Sequence, residues 1–416
     1  MKKTIALMAA AACTVSLCSC SLRQVYIQDD TSAITFSWWG NDVRNEYTID
    51  GIRTFENENK DVSVTPEYSE FGGFKSKMDM EVYSDTEADV MQLNYDWLYE
   101  YSPNGDEFYD LYELSDYIDL SNFNDADLSF GKVDGKLNGI AMSLNTITFY
   151  TNKSLYDSYG LEIPKTWDDY FEAAKVMKRD EIYPLELSEK TFWLCCTAYY
   201  EQTTGRSVFD ENNNFNYTEE DLQAVIEFYM RLVNEKVSKR AEDFKRADFA
   251  NCLCGGMPSW ISDADYYFNP AQEYGLDVVV GDCPVTSNYV NFGWYRKPTS
   301  LYAIKKDTTE PETAARLVNF LLNSEEMYSL QGTEKGIPMS KSALETLAAR
   351  DSLGGLQYEA TQKMNSQNNI KSMSPCLENS ELIDFFTEAC DAVYYKKLSV
   401  ETAASRYWLY MKTLFE

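Results

Sequence analysis

The chain has 416 residues, 44% hydrophobic and 14% aromatic, with Lys+Arg 37 against Asp+Glu 67, a formal charge of −30, and no histidine. That charge repels a nucleic-acid backbone and no basic patch offsets it, so nucleic acid is excluded as a partner. Without imidazole, Ser-His-Asp and Cys-His nucleophiles and imidazole-bound zinc are excluded too, and a chain this aromatic with only 11 Pro and 19 Gly packs into two or three domain-sized units.

The predicted elements start with Met1-Lys2-Lys3 and the largely apolar stretch Thr4 to Leu17, which has the form of a signal sequence too short to span a bilayer. Leu17-Cys18-Ser19-Cys20 resembles the lipobox of bacterial lipoproteins, which implies cleavage after residue 19 and a diacylglycerol on Cys20. Residues 20–31 then read as a solvated tether, and two acyl chains give the double anchor that stable membrane attachment needs. The expected location is the extracellular face of the bacterial cell membrane.

Ala33 to Trp38 alternates, placing Ile34, Phe36 and Trp38 on one strand face. Strands at Val62 to Val64 and Ala88 to Leu93, separated by a helix around Ile49, Ile52 and Phe55, predict a parallel sheet. Thr166 to Asp169, Thr218 to Asp221 and Thr309 to Glu312 have capping-box spacing ahead of helical apolar stripes, and two more helices are predicted around Phe386 and Tyr407. Cys195, Cys196, Cys252, Cys254, Cys283, Cys376 and Cys390 are odd in number and match no zinc spacing; they read as mostly buried thiols, and no metal or cofactor is expected. No Pro/Gly/Ser linker divides the chain, so interleaved domains are expected.

Several blocks resemble one family, the extracellular solute-binding proteins (family 1, maltose-binding-protein type) of sugar-importing ABC transporters. They are Ile34 to Arg44, Ala88 to Trp97, Gly135 to Asn145 with Phe149 to Lys153 and Pro164 to Trp167, Gly255 to Trp260, Lys297 to Pro338 around Glu310 to Leu322, and Lys397 to Ala404. The resemblance implies an α/β, two-lobed, periplasmic-binding-protein-like fold (type II) with a hinge and central cleft. Crossings are expected near Leu144 to Thr146, near Thr299 to Leu301 and after Lys341. The lobes would then be 32–145 plus 300–341, and 146–299 plus 342–416. The resemblance also implies permease subunits as partners, a monomer, and binding without catalysis.

A sugar site needs rings for C–H faces and polar groups for hydroxyls, gathered where sheet strands end. That selects Trp39, Asn41 and Arg44 after the first strand, and Asn94, Tyr95 and Asp96 in a loop that faces the ligand in this family. Asn145 falls at the hinge, as a ligand contact or a tie between crossing strands. Trp260 matches a family position where an aromatic stacks on sugar, with Asp263 beside it as a ligand or a helix cap. Trp193, Trp294, Tyr295, Arg296 and Glu186 complete the candidate walls, although Phe192 and Leu194 favour the core for Trp193. Ser374 to Ser380 lacks the aromatic that maltose-type binders carry there, so maltodextrin is disfavoured. Two other readings remain: a receptor for cationic peptides or polyamines, from the charge, and a carboxylate-dependent glycoside hydrolase, for which no spacing singles out a pair of acids.

Overall fold

A computed structural model describes residues 31–210, 212–367 and 370–415. The expected signal peptide, Cys20 and the tether up to residue 30 lie outside the described residues. The strands of the two main sheets are β1 (Ser32–Trp39), β2 (Val62–Ser69), β3 (Val90–Leu93), β4 (Ile140–Ala141), β5 (Leu144–Asn152), β6 (Gly256–Trp260), β7 (Val278–Gly281), β8 (Tyr295–Pro298), β9 (Leu301–Ile304) and β10 (Lys371–Ser372). They form one sheet in the order β2-β1-β3-β9-β4 and a second in the order β10-β8-β5-β6, with β7 also on β5. β1 runs parallel to β2 and β3, as helical crossovers require, and β9 returns antiparallel to β3.

Each sheet is covered by helices: α1 (Asp42–Glu58), α2 (Phe71–Tyr83), α3 (Tyr95–Tyr101), α4 (Trp167–Met177), α5 (Glu189–Thr204), α6 (Glu219–Asn234), α7 (Pro311–Asn323), α8 (Glu325–Gln331), α9 (Lys341–Ala349), α10 (Gly355–Asn365), α11 (Ser380–Tyr394) and α12 (Val400–Phe415). Alternation in β1 sends Ile34, Phe36 and Trp38 into a core with Leu317 and Leu321 of α7, while Trp39 joins Phe74 and Trp97 on the other face. In α6 the expected capping box forms, with Thr218 N–H donating to the Asp221 carboxylate at 2.7 Å and Leu222, Val225, Tyr229 and Leu232 buried behind it. The box expected at Thr309 does not form. Pro311 occupies the first helical position, so the cap moves to Glu310, whose carboxylate takes the Ser32 hydroxyl instead of a helix N–H.

Residues 140–146 and 296–302 run side by side from one sheet into the other. Met142 N–H donates to Ser300 O at 3.1 Å and Thr299 N–H to Ser143 O at 3.0 Å, and the ladder continues as Leu144, Asn145 and Thr146 pair with Pro298, Lys297 and Arg296. The third crossing falls later than expected. α9 packs Ala343 and Leu347 on Tyr328 of α8, so residues 342–349 stay with the first lobe, and α10 is the element that joins the second, through Leu356, Ala360 and Met364. Cys195, Cys196, Cys254 and Cys390 are buried free thiols; Cys252, Cys283 and Cys376 are free and half-buried. Among the described residues no helix is long and apolar enough to cross a membrane.

At the junction the Ser143 hydroxyl lies 2.6 Å from both the Thr299 hydroxyl and Lys335 O. Gly336 stands against it with φ +99°, where a Cβ would collide with the Ser143 side chain. Gly336→Ala is therefore expected to lower stability by about 1–3 kcal/mol, read by urea unfolding.

Candidate functional site

Two cavities lie between the lobes. The wider, of about 580 Å³, has Trp39, Asn41, Arg44, Glu70 and Phe71 of the first lobe on one wall and Ser262, Asp263, Asp265, Tyr266, Tyr267 and Gln357 on the other. The narrower, of about 360 Å³, sets Tyr95, Tyr99 and Phe130 against Glu201, Phe209, Tyr295 and Lys371. Between them α3 packs on the turn Pro375–Glu378.

The walls follow from strand ends. β1 stops at Trp39, and Asn41 caps α1 by accepting the Arg44 N–H at 2.9 Å, which throws the Arg44 guanidinium across to Glu334 O at 2.9 Å. In the second lobe the chain leaves β6 through a tight turn, Ile261–Asp263, and a π-helical turn, Ala264–Phe268, an uncommon form concentrated at functional sites. That turn presents Asp265, Tyr266 and Tyr267. Phe71 and Tyr266, from opposite lobes, are 55% and 69% exposed.

The partition between the cavities is ionic. Glu378 is clamped by Lys297 and, at 2.8 Å, by Lys190. Burial pushes the Glu378 carboxyl up, but the two ammonium groups outweigh it and hold it at about 2. Across the gap Asp96 faces Lys297; its carboxyl is raised by burial against the pull of that lysine, and it accepts the Asn94 amide at 2.6 Å.

Trp39, Asn41, Arg44 and Asp263 line the wider cavity, and Tyr95 and Tyr295 the narrower. Trp39 is only 8% exposed, wedged among Phe71, Phe74 and Trp97, and Asn41 and Asp263 are also engaged locally, Asp263 by the Ser259 hydroxyl. Asn94 and Asp96 belong to the partition. Arg296 extends over Phe130 at 5.9 Å, beside the narrower cavity. Trp260 lines neither cavity; it is half-buried against the core of the second lobe, and Lys297 covers its ring at 4.5 Å, so the face expected to stack on sugar already carries an ammonium.

Three expectations are corrected. Trp193 and Trp294 are core residues, because their indole N–H groups are satisfied internally by Leu377 O and Pro284 O, both at 3.0 Å. Of the two roles expected of Asn145, the structure supplies a tie: its amide donates to Ser262 Oγ at 2.9 Å and accepts the Ser262 N–H at 3.3 Å. Glu186 is buried against Lys245 N–H and Lys239, away from the cavities. Sequence reasoning missed Phe71, Tyr266 and Gln357. An aromatic beginning a helix just after a strand end was the available signal for Phe71; Gln357 has none.

Behind Arg44 lies Lys335, buried, whose ammonium donates to Gln92 Oε1 and the Tyr302 hydroxyl, each at 3.1 Å, and faces the rings of Tyr47 and Tyr302. Burial and the Arg44 charge pull it down to about 7.

A family model for bacterial extracellular solute-binding protein matches residues 36–328. A periplasmic solute-binding protein of Pectobacterium atrosepticum superposes with a TM-score of 0.86 at 27% identity, covering 92% of this chain and 99% of that one. A periplasmic oligogalacturonide-binding protein of Yersinia enterocolitica, solved with saturated digalacturonic acid, gives 0.82 at 27% identity, covering 92% and 100%. An ABC substrate-binding protein of Listeria monocytogenes, solved with cycloalternan, shares the fold at a TM-score of 0.71 and 17% identity over 92% and 99%.

Removing Glu378 takes from the buried Lys297 the carboxylate it is hydrogen-bonded to. Glu378→Ala is expected to cost about 3–5 kcal/mol in chemical denaturation. Because the folded pKa is depressed, this stabilisation is present above the ordinary glutamate range and lost as pH falls from there toward 2. Lys335 has the opposite sense: the unfolded lysine keeps its proton while the folded one loses it, so stability rises from pH 7 toward the ordinary value of 10.5. Between pH 7 and about 9, wild type should gain roughly 2 kcal/mol relative to Lys335→Met, read by paired urea titrations.

Proposed function

The chain belongs to the bacterial extracellular solute-binding proteins, and from that premise we propose that it captures a sugar or oligosaccharide at the extracellular face of the cell membrane and delivers it to the permease subunits of an ABC importer. In this reading it acts as a monomer held by lipid on Cys20, and it catalyses nothing. The observation that carries the proposal is the wider cavity, where exposed rings and carboxylates from both lobes converge on one space. Rings lie on the C–H faces of a pyranose while carboxylates and amides accept from its hydroxyls. Its size falls in the range of small-ligand sites. The Yersinia and Listeria proteins, solved with saccharides, favour the same class of ligand.

Ligand in this space contacts both lobes at once. Only a closed arrangement satisfies both sets of contacts, so binding shifts the hinge equilibrium toward closure, and the permease reads the closed shape. A hydrolase would need two carboxylates poised across a scissile bond, and the four at this cavity serve equally as acceptors for a bound, unreacted sugar.

The test is a thermal-shift screen of the mature chain against an oligosaccharide panel, followed by calorimetry. A true ligand at a hundred times its Kd should add about 2.7 kcal/mol of stability. Phe71→Ala and Tyr266→Ala are each expected to weaken its binding about tenfold. Small-angle scattering should show compaction at saturation; unchanged dimensions, or release of reducing sugar, would count against the proposal.

A further inference from the structure

We propose that Arg44 is a positioning residue for the hinge: by holding the turn 333–336 it fixes the two attachments through which Lys335 grips the junction strands, so that a ligand engaging its guanidinium in the wider cavity acts on closure. This deepens the saccharide reading and rests on it. Arg44 lines that cavity, and among the described residues its side chain makes one hydrogen bond, to the Glu334 carbonyl at 2.9 Å. Its Nε is buried without an acceptor, so the turn is where the guanidinium is anchored. The Glu334 carbonyl belongs to the planar peptide that ends at the Lys335 Cα, and fixing its oxygen fixes the plane from which Lys335 projects.

Lys335 reaches the junction from both of its ends. The turn is closed by Gly336 N–H donating to Thr333 O at 2.9 Å. Lys335 O accepts from the Ser143 hydroxyl at 2.6 Å and from the Thr299 hydroxyl at 3.4 Å, one on each strand. Its ammonium donates to Gln92 Oε1 at 3.1 Å, and the Gln92 amide in turn donates to the Ser300 hydroxyl at 3.4 Å. Two hydrogen-bonded routes therefore lead from one buried residue to the strands about which the lobes rotate. The two cations also feel each other: burial first, and then the Arg44 charge, pull the Lys335 ammonium down to about 7. A ligand acceptor on Arg44 holds the guanidinium in place over the turn, and the strands are held with it.

Amide hydrogen exchange on the ligand-free mature chain tests this, so its failure is separate from failure of the saccharide screen. Each variant is first checked for folding by its melting transition. In Arg44→Met the amides of Met142 and Thr299, which pair the two strands, are expected to lose at least fivefold in protection, while those of β1 stay within about twofold of wild type. Arg44→Lys keeps a donor for a single carbonyl and should retain most of the protection. Ser143→Ala should loosen the same amides, and adding Arg44→Met to it should bring less than a further twofold loss, because both act through one turn. Unchanged hinge protection in Arg44→Met, a loss shared equally by β1, no rescue by lysine, or losses that multiply in the double variant would each overturn the assignment.

Discussion

Two strands running antiparallel through the junction make a cleft possible. Residues 142–146 and 296–300 stay hydrogen-bonded as they leave one sheet and enter the other, with Met142 on Ser300, Ser143 on Thr299 and Thr146 on Arg296. A paired ladder resists stretching and slipping of register, because each step breaks backbone bonds, but it twists readily. The lobes are thereby allowed to rotate about the pair and forbidden to slide. The Ser143 hydroxyl ties the pair to the Lys335 carbonyl as well as to Thr299.

Charge is organised around the same junction in two ways. Lys297 reaches it paired: Glu378 supplies the counter-charge, Lys190 shares the load, and the carboxylate stays ionised far into acid. Lys335 reaches it unpaired, with an amide and a phenol as neighbours, so desolvation prevails and the amine tends to neutrality. In a chain of net charge −30 the scarce resource is cations, and the pairing of Lys297 places one where it also attracts Asp96 of the opposite lobe. The cavities on either side are left acidic or nearly balanced.

The fold was legible where a short stretch of sequence carries its own physics. Alternation in β1 determines which rings enter which core, and Thr218 with Asp221 closes its box within four residues. The third box failed for an equally local reason, since Pro311 cannot donate and moved the cap by one residue. Tryptophans were harder to place. Trp193, Trp260 and Trp294 differ in role because of the partners brought to them from elsewhere: the Leu377 and Pro284 carbonyls take two indoles out of the cleft, and the Lys297 ammonium covers the third. Those partners are set by tertiary packing, as is the meeting of Gln357 with the turn Ala264–Phe268, so no spacing announces them.

A ligand drives closure only through groups whose environment differs between open and closed states. Trp39 is already buried by Phe71, Phe74 and Trp97, and Tyr95 by Tyr99 and Phe130, each within its own lobe. They shape the walls, yet covering them further gains little apolar burial in either state. Phe71 and Tyr266 are different, because they face solvent from opposite lobes across one cavity. Ligand sandwiched between them buries both rings only when the gap narrows, and the acceptors beside them are satisfied in the same movement. In the proposed function the free energy of recognition and that of closure would therefore come from the same few side chains, so that a bound small molecule sets the shape offered to the permease.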